Sequence, residues 1–139
     1  MLEAISAKEI AVSGLKAQRT RMNLIANNIA NSLTPITAKG GAFRRQLAIL
    51  SGERVKSGVQ ADTLGVKVER VVSDPSPFKQ VYEPGNPYAN ADGYVEYPNV
   101  DLAVEMADLV SAQRAYEANI AVIVSSRRMS QKALEIIQA

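Results

Sequence analysis

All six prolines and seven of the eight glycines of this chain lie between residues 32 and 98. Proline inside a helix removes a backbone hydrogen bond and clashes with the preceding turn, so no long helix crosses that stretch. The two flanks contain one glycine, Gly14, and no proline. The distribution divides the chain into two uninterrupted end segments and an irregular middle.

Both end segments read as helices. Over residues 3–31, apolar side chains fall at Val12, Leu15, Met22, Ala26 and Ile29, with Ile25 alongside. Steps of three, four and seven place them on one helix face. Thr34-Pro35 ends the segment, because a residue before proline is pushed out of helical geometry. Residues 101–138 repeat the pattern with Leu102, Met106, Leu109, Tyr116, Ile120, Ile123, Leu134 and Ile137, interrupted at Gln113, Arg127 and Ser130. Acidic Asp101, Glu105 and Asp108 open this segment and basic Arg127, Arg128 and Lys132 close it, which suits the helix dipole.

In the middle, four short runs have strand character. They are Phe43 to Leu50, with Phe43, Leu47 and Ile49 on one face; Val66 to Val72; Lys79 to Tyr82; and Tyr94 to Tyr97, preceded by the turn signal Asp92-Gly93. The expected fold class is α+β: long N- and C-terminal helices packed as a coiled-coil-like stalk, with a small, irregular β-containing middle domain. The expected divisions are an N-terminal axial helix (1–33), an extended or β connecting segment (34–63), a small β domain (64–99) and a C-terminal axial helix (100–139).

The second helix would run roughly 57 Å at about 1.5 Å per residue. A compact domain of this length is only about 35–40 Å across. Apolar residues also lie off the main stripes, among them Leu24, Val110, Val122, Val124 and Ile136. Two helices cover one face of each other, so the middle region or other chains must cover the rest. Asn23, Asn27, Asn28 and Asn31 crowd the end of the first helix and Asn119 sits within the second, although asparagine is a poor helix former. Asn31 suits a C-terminal cap, and the other amides suit hydrogen bonds that set register between packed helices.

Composition narrows the function classes. The chain has no cysteine and no histidine, which removes disulfides, thiolate nucleophiles, imidazole bases and the usual zinc ligands. No cofactor is expected. Carboxylates at Glu53, Asp62, Asp74, Asp92 and Asp101 are candidates for acid–base work, yet most sit beside Gly, Pro or Ser as turn residues do, and their spacing converges on no pocket. A net charge of +2, with Lys and Arg interspersed among Asp and Glu, lacks the basic stripe of a nucleic-acid binder. The pairs Arg44-Arg45 and Arg127-Arg128 read as solvated or interface charge. No apolar run approaches the roughly 20 residues of a membrane span. Met1-Leu2-Glu3-Ala4-Ile5 does not read as a cleavable signal. Two readings remain at this level: a subunit of a larger assembly, or a soluble helical adaptor of fixed stoichiometry.

Ala26-Asn27-Asn28-Ile29-Ala30-Asn31, three residues before Thr34, resembles the N-terminal signature of bacterial flagellar rod, hook and hook-associated proteins. Glu105-Met106, Leu109 and Ala112-Gln113-Arg114-Ala115-Tyr116-Glu117-Ala118-Asn119 resemble the matching C-terminal signature. The middle is similar to the proximal rod members of that family through Gly40-Gly41-Ala42-Phe43-Arg44-Arg45, Gly65-Val66-Lys67-Val68, Asp74-Pro75-Ser76-Pro77-Phe78-Lys79, Glu83-Pro84-Gly85-Asn86-Pro87 and Tyr97-Pro98-Asn99-Val100. Asn86 departs from a pattern that often has histidine there.

The resemblance implies a structural subunit of the periplasmic rod, the drive shaft that transmits torque and surrounds the export channel. It implies export by the flagellar type III apparatus without a cleaved signal, and partners among other copies and neighbouring rod proteins. It implies an inner layer of terminal helices and an outer β-containing domain. The expected assembly interface comprises Val12, Leu15, Met22, Ile25, Asn27, Asn28, Ile29, Asn31, Met106, Leu109, Gln113, Arg114, Tyr116, Asn119, Ile120 and Ile123. Within it, Leu15, Met22, Ile25 and Ile29 are expected to pack on Leu109, Tyr116, Ile120 and Ile123, within or between chains. Phe43 and Leu47 also resemble an export-gate recognition motif, while an ordinary strand with both facing inward explains the same residues.

Overall fold

The computed structural model of the chain describes residues 2–55 and 63–138. Helix α1 spans Leu2–Ala30 and α2 spans Leu102–Gln138. Between them lie two antiparallel hairpins. Strands β1 (Gln46–Val55) and β2 (Thr63–Ser73) form one, and β3 (Lys79–Tyr82) and β4 (Tyr94–Tyr97) form the other. The class is α+β, with long end helices around a small β middle.

Local chemistry sets the element ends. Asp101 caps α2: its Oδ1 accepts from the N–H groups of Ala103 at 2.9 Å and Val104 at 3.3 Å, satisfying donors that have no partner inside the helix. At the end of α1, the Asn31 amide donates to the Asn27 carbonyl and to the Asn27 side chain, each at 3.0 Å. Asn31 does this without the left-handed backbone of a glycine-type cap. Gly40 and Gly41, at φ +82° and +75°, then reverse the chain towards β1.

The first strand starts later than the sequence suggests and runs on to Val55. It begins at Gln46 rather than Phe43, because the Phe43 N–H donates to the Thr34 carbonyl at 3.1 Å and ties Phe43 to the turn after α1. Leu47 pairs with Val72 and Ile49 with Arg70, and the register then slips at Leu50, which pairs with Val68. Glu69 is therefore the extra residue of a bulge, which sharpens the local twist. The β1–β2 hairpin packs against α1 and joins residues on both sides of the 63/64 division. In the second hairpin, Gly93 at φ +84° closes an eleven-residue connection rather than a tight turn. A Cβ at Gly93 would stand 2.9 Å from the Tyr82 ring.

The helices pack antiparallel, but through a different stripe from the apolar one. Asn28 reaches Glu105 near one end, and Gly14 lies against Asn119 near the other. The inward row of α1 is thus Gly14, Arg21 and Asn28, and that of α2 is Glu105, Ala112, Asn119 and Ser126, each seven residues from the next. Ala11, Ala17 and Ile25 are also buried on α1. The large apolar groups Leu15, Met22 and Ile29 on α1, and Met106 and Ile120 on α2, are one residue further along each helix. That displacement corresponds to about 100° of rotation.

The physical reason is steric and polar together. Glycine and alanine at the contact let the helix axes approach. The polar members of the row meet partners in their own chain. Large apolar and aromatic groups consequently remain on the flanks: Leu15, Met22, Ile29, Leu109, Tyr116 and Ile123 are half-buried, while Met106 and Ile120 are exposed.

Gly14 is explained by this seam. A Cβ there would meet the Asn119 amide at 2.8–3.0 Å, and that amide already donates to the Ala115 carbonyl at 2.8 Å. Helix propensity alone favours Gly14→Ala by about 1 kcal/mol. We expect Gly14→Ala to lose that gain, and Gly14→Ala with Asn119→Ala to recover it. A double-mutant cycle by denaturant unfolding should give a coupling energy of roughly 0.5 kcal/mol or more. Additive effects would show that the two residues do not interlock.

Candidate functional site

Where α1, β1 and α2 meet, a cluster of polar side chains is largely withdrawn from water. Glu105 is 0% exposed and Asn28 is 1% exposed. Burying such groups is costly unless each is hydrogen-bonded, and here each is. Asn28 joins the edge of β1 as a peptide group would: its Oδ1 accepts from the Gln46 N–H at 2.9 Å and its Nδ2 donates to the Gln46 carbonyl at 2.9 Å. The same Nδ2 donates to Glu105 Oε2 at 3.0 Å. The other carboxylate oxygen of Glu105 accepts from Arg45 Nε.

Arg45 spreads the connection further. Its guanidinium reaches Asp74 Oδ2 at 3.5 Å and Asp108 Oδ2 at 3.4 Å, and Asp108 also accepts from Arg21 at 3.2 Å. The Arg45 N–H donates to Asn99 Oδ1 at 2.8 Å, and Asn99 Nδ2 donates to the carbonyls of Asp74 and Ser76 at 3.2 and 3.1 Å. Arg44 donates to the same two carbonyls at 2.9 and 2.8 Å, and stacks over the Phe78 ring at 4.1 Å. The Arg44-Arg45 pair is therefore internal and not free surface charge, because the β1 start carries it into the junction of both helices and the Asp74–Phe78 segment.

Charge balance keeps Arg45 ionised. Burial opposes its charge, but the hydrogen bond and field of Glu105, followed by those of Asp74, outweigh burial and hold the guanidinium above its ordinary range. The Asp74 carboxyl is held below the usual carboxylate range, first by hydrogen bonds from the Ser76 hydroxyl and N–H and then by Arg45.

The structure spreads the residues expected at the interface over several roles. Asn28 and Ile25 are internal. Val12, Leu15, Met22, Ile29, Asn31, Leu109, Tyr116, Asn119 and Ile123 are half-buried, and Asn27, Met106, Gln113, Arg114 and Ile120 are exposed. Phe43 and Leu47 are both half-buried, with Phe43 outside the strand. Arg45, Asn99 and Glu105 carry the junction and had no assigned site role from sequence. The available signal was the row Glu105, Ala112, Asn119 and Ser126, which holds only small or polar residues at a seven-residue repeat.

Of the candidate carboxylates, Asp74 is engaged with Ser76 and Arg45, Asp101 caps α2, and Glu53 pairs with Lys67 at 3.5 Å. Asp92 is exposed and Asp62 lies outside the described residues. Asn86 orders the β3–β4 connection by donating to Glu83 at 2.8 Å and accepting from the Tyr88 N–H at 3.0 Å.

Arg45→Ala should destabilise the chain by roughly 3–5 kcal/mol, because it strips the buried Glu105 of its cation. Arg45→Lys should recover only part, since an ammonium cannot fork between three carboxylates. Chemical denaturation tests both, and a loss below about 1 kcal/mol for the alanine variant would deny the cluster its role. Because the folded Asp74 pKa lies below its unfolded value, its contribution is present above the ordinary carboxylate range and lost as pH falls through the folded value. Asp74→Asn should accordingly flatten the acid limb of the stability–pH curve.

Sequence comparison places this architecture among known proteins. A family described as "Flagella basal body rod protein" matches residues 9–35, and one described as "Flagellar basal body rod FlgEFG protein C-terminal" matches residues 91–136. These matches include Asn28 on one helix and Glu105 on the other. The flagellar basal-body rod protein FlgC of Borreliella burgdorferi is 44% identical, covering 96% of this chain and 97% of its own length. FlgC of Bacillus subtilis is 38% identical over 97% and 99% of the two chains, and FlgC of Escherichia coli is 41% identical over 94% and 95%. With near-complete coverage and both end helices matched, this chain belongs to the FlgC family of flagellar basal-body rod proteins.

Proposed function

We propose that this chain is a structural subunit of the flagellar basal-body rod, acting by packing and not by catalysis. The observation that carries the reading is the one-residue rotation between the helix seam and the apolar stripes. The chain packs its own helices through small and polar residues, leaving Met106, Val110, Ile120, Val122 and Val124 exposed along α2. Each such group is worth about 1.5–3 kcal/mol when fully buried. Met106, Val110, Ile120 and Val124 share one side of α2, and exposed apolar groups gathered on one side of a helix mark a surface made for association. Among the described residues, no helix is long and apolar enough to cross a membrane.

In this reading, Leu15, Met22, Ile29, Met106, Leu109, Tyr116, Ile120 and Ile123 pack against other copies and neighbouring rod proteins. Asn27, Asn31, Gln113 and Arg114 supply polar contacts at the rim. Asn28 serves the subunit's own junction. The rod lies in the periplasm, transmits torque and encloses the export channel. The chain reaches it through the flagellar type III apparatus without a cleaved signal, with Phe43 and Leu47 read by the export gate before the chain folds.

The test is replacement of the resident rod protein of this family in a flagellated bacterium. This chain should restore swimming and be present in purified basal bodies. Met106→Asp and Ile120→Asp, both at exposed positions, should leave the isolated fold intact by circular dichroism and abolish swimming. A chain that instead forms a soluble complex of fixed stoichiometry and never enters basal bodies would favour the adaptor reading. Phe43→Ala should lower the amount exported; normal export with poor assembly would assign Phe43 to packing alone.

A further inference from the structure

With no cysteine in the chain, its four methionines carry all of its sulfur. A peroxide converts an accessible thioether to a sulfoxide, which replaces a flexible apolar side chain by a polar one. The methionines of the described residues differ in setting. Met22 on α1 is half-buried, whereas Met106 and Met129 on α2 are each 57% exposed.

The two exposed thioethers stand in unlike surroundings. Neighbours on a helix surface lie three and four residues away. For Met106 these include Leu102, Leu109 and Val110, with Leu102 and Val110 themselves exposed. For Met129 they include Ser125, Ser126 and Lys132. At about 100° per residue, Val110, Ile120 and Val124 fall within about 40° of Met106 around α2, and Met129 falls about 140° away. Met106 therefore belongs to the exposed apolar side of the helix, and Met129 to a polar one.

We propose that Met106 is an oxidation site that switches off association of the folded chain before it is packed, an inference that rests on the reading of that apolar side as the association surface. In the step itself, a sulfur lone pair attacks one peroxide oxygen and the O–O bond breaks. The S–O bond forms, and the other oxygen leaves as water. Sulfur loses two electrons and the peroxide is reduced. The new oxygen is a strong acceptor placed among Leu102, Leu109 and Val110, whose side chains offer no donor. Burying it there against a partner leaves it without a hydrogen bond, which opposes association. The same oxygen on Met129 stays in polar surroundings and has no such effect. Because a sulfoxide can be reduced back to the thioether, the block is reversible.

The test has a chemical arm and a cellular arm. The purified folded chain is treated with hydrogen peroxide and its peptides are weighed. Met106 and Met129 should each gain one oxygen faster than Met22. Oxidation of Met106 no faster than that of Met22 overturns the site. In cells where this chain replaces the resident rod protein, Met106→Gln places a comparable polar oxygen on the helix without redox chemistry. Its amount in purified basal bodies should be about tenfold below that of Met106→Leu, while Met129→Gln matches the parent chain. Sublethal peroxide during flagellar regrowth should lower incorporation of the parent and of Met129→Leu, each relative to its own untreated level, and spare Met106→Leu. Equal incorporation of Met106→Gln and Met106→Leu, or equal peroxide sensitivity of Met106→Leu and the parent, overturns the switch and leaves the rod reading standing. Absence of the untreated parent chain from basal bodies overturns both.

Discussion

The structure depends on how one buried carboxylate is satisfied. Glu105 is withdrawn from water on α2, and its two oxygens are met by Asn28 of α1 and Arg45 at the start of β1. Removing a carboxylate from solvent without such partners costs several kcal/mol. This contact can form only when both helices and the first hairpin are in their final positions. Asn28 also holds the β1 backbone, and Arg45 holds Asp74 and Asn99, so the same cluster fixes the segment leading into β3. The apolar groups buried around it are few and small, which leaves polar geometry to decide how the pieces fit.

Much of the architecture is legible in the sequence. Every proline and every glycine but Gly14 lies in the middle, and the end helices follow. Lys79–Tyr82 and Tyr94–Tyr97 are strands, as their valine and tyrosine content suggests. The rotation of the helix pair is less legible. Hydrophobic periodicity selects the rows containing Leu15 and Met106, because large apolar side chains weigh more in it than glycine, alanine or serine. The contact instead runs through Gly14, Ala112 and Ser126, whose value is their small size. The role of Arg45 was hidden for a related reason. A neighbouring pair of arginines looks the same in sequence whether it faces solvent or three carboxylates, and only the path of the chain after α1 decides.

The two kinds of surface divide the work of folding and assembly. Small and polar residues define the subunit, where specific hydrogen bonds select one arrangement. Large aliphatic residues face outward, where less directional burial can join surfaces of similar but unequal shape. A rod built from several related proteins needs both properties. Its subunits must keep their own geometry while meeting neighbours that are not identical to themselves.

The seam between α1 and α2 also has a mechanical consequence. A rotating shaft loads its packed helices in shear, along their length. A uniform apolar seam resists shear weakly, since sliding by seven residues exchanges one aliphatic contact for another. Here such a slip would draw Glu105 away from Asn28 and Arg45 and drive the Asn119 amide off Gly14. Each displaced buried partner raises the barrier by kcal/mol-scale amounts. The Gly14–Asn119 contact and the Glu105 cluster, lying towards opposite ends of the overlap, act as two keys that stop the hairpin from creeping under load.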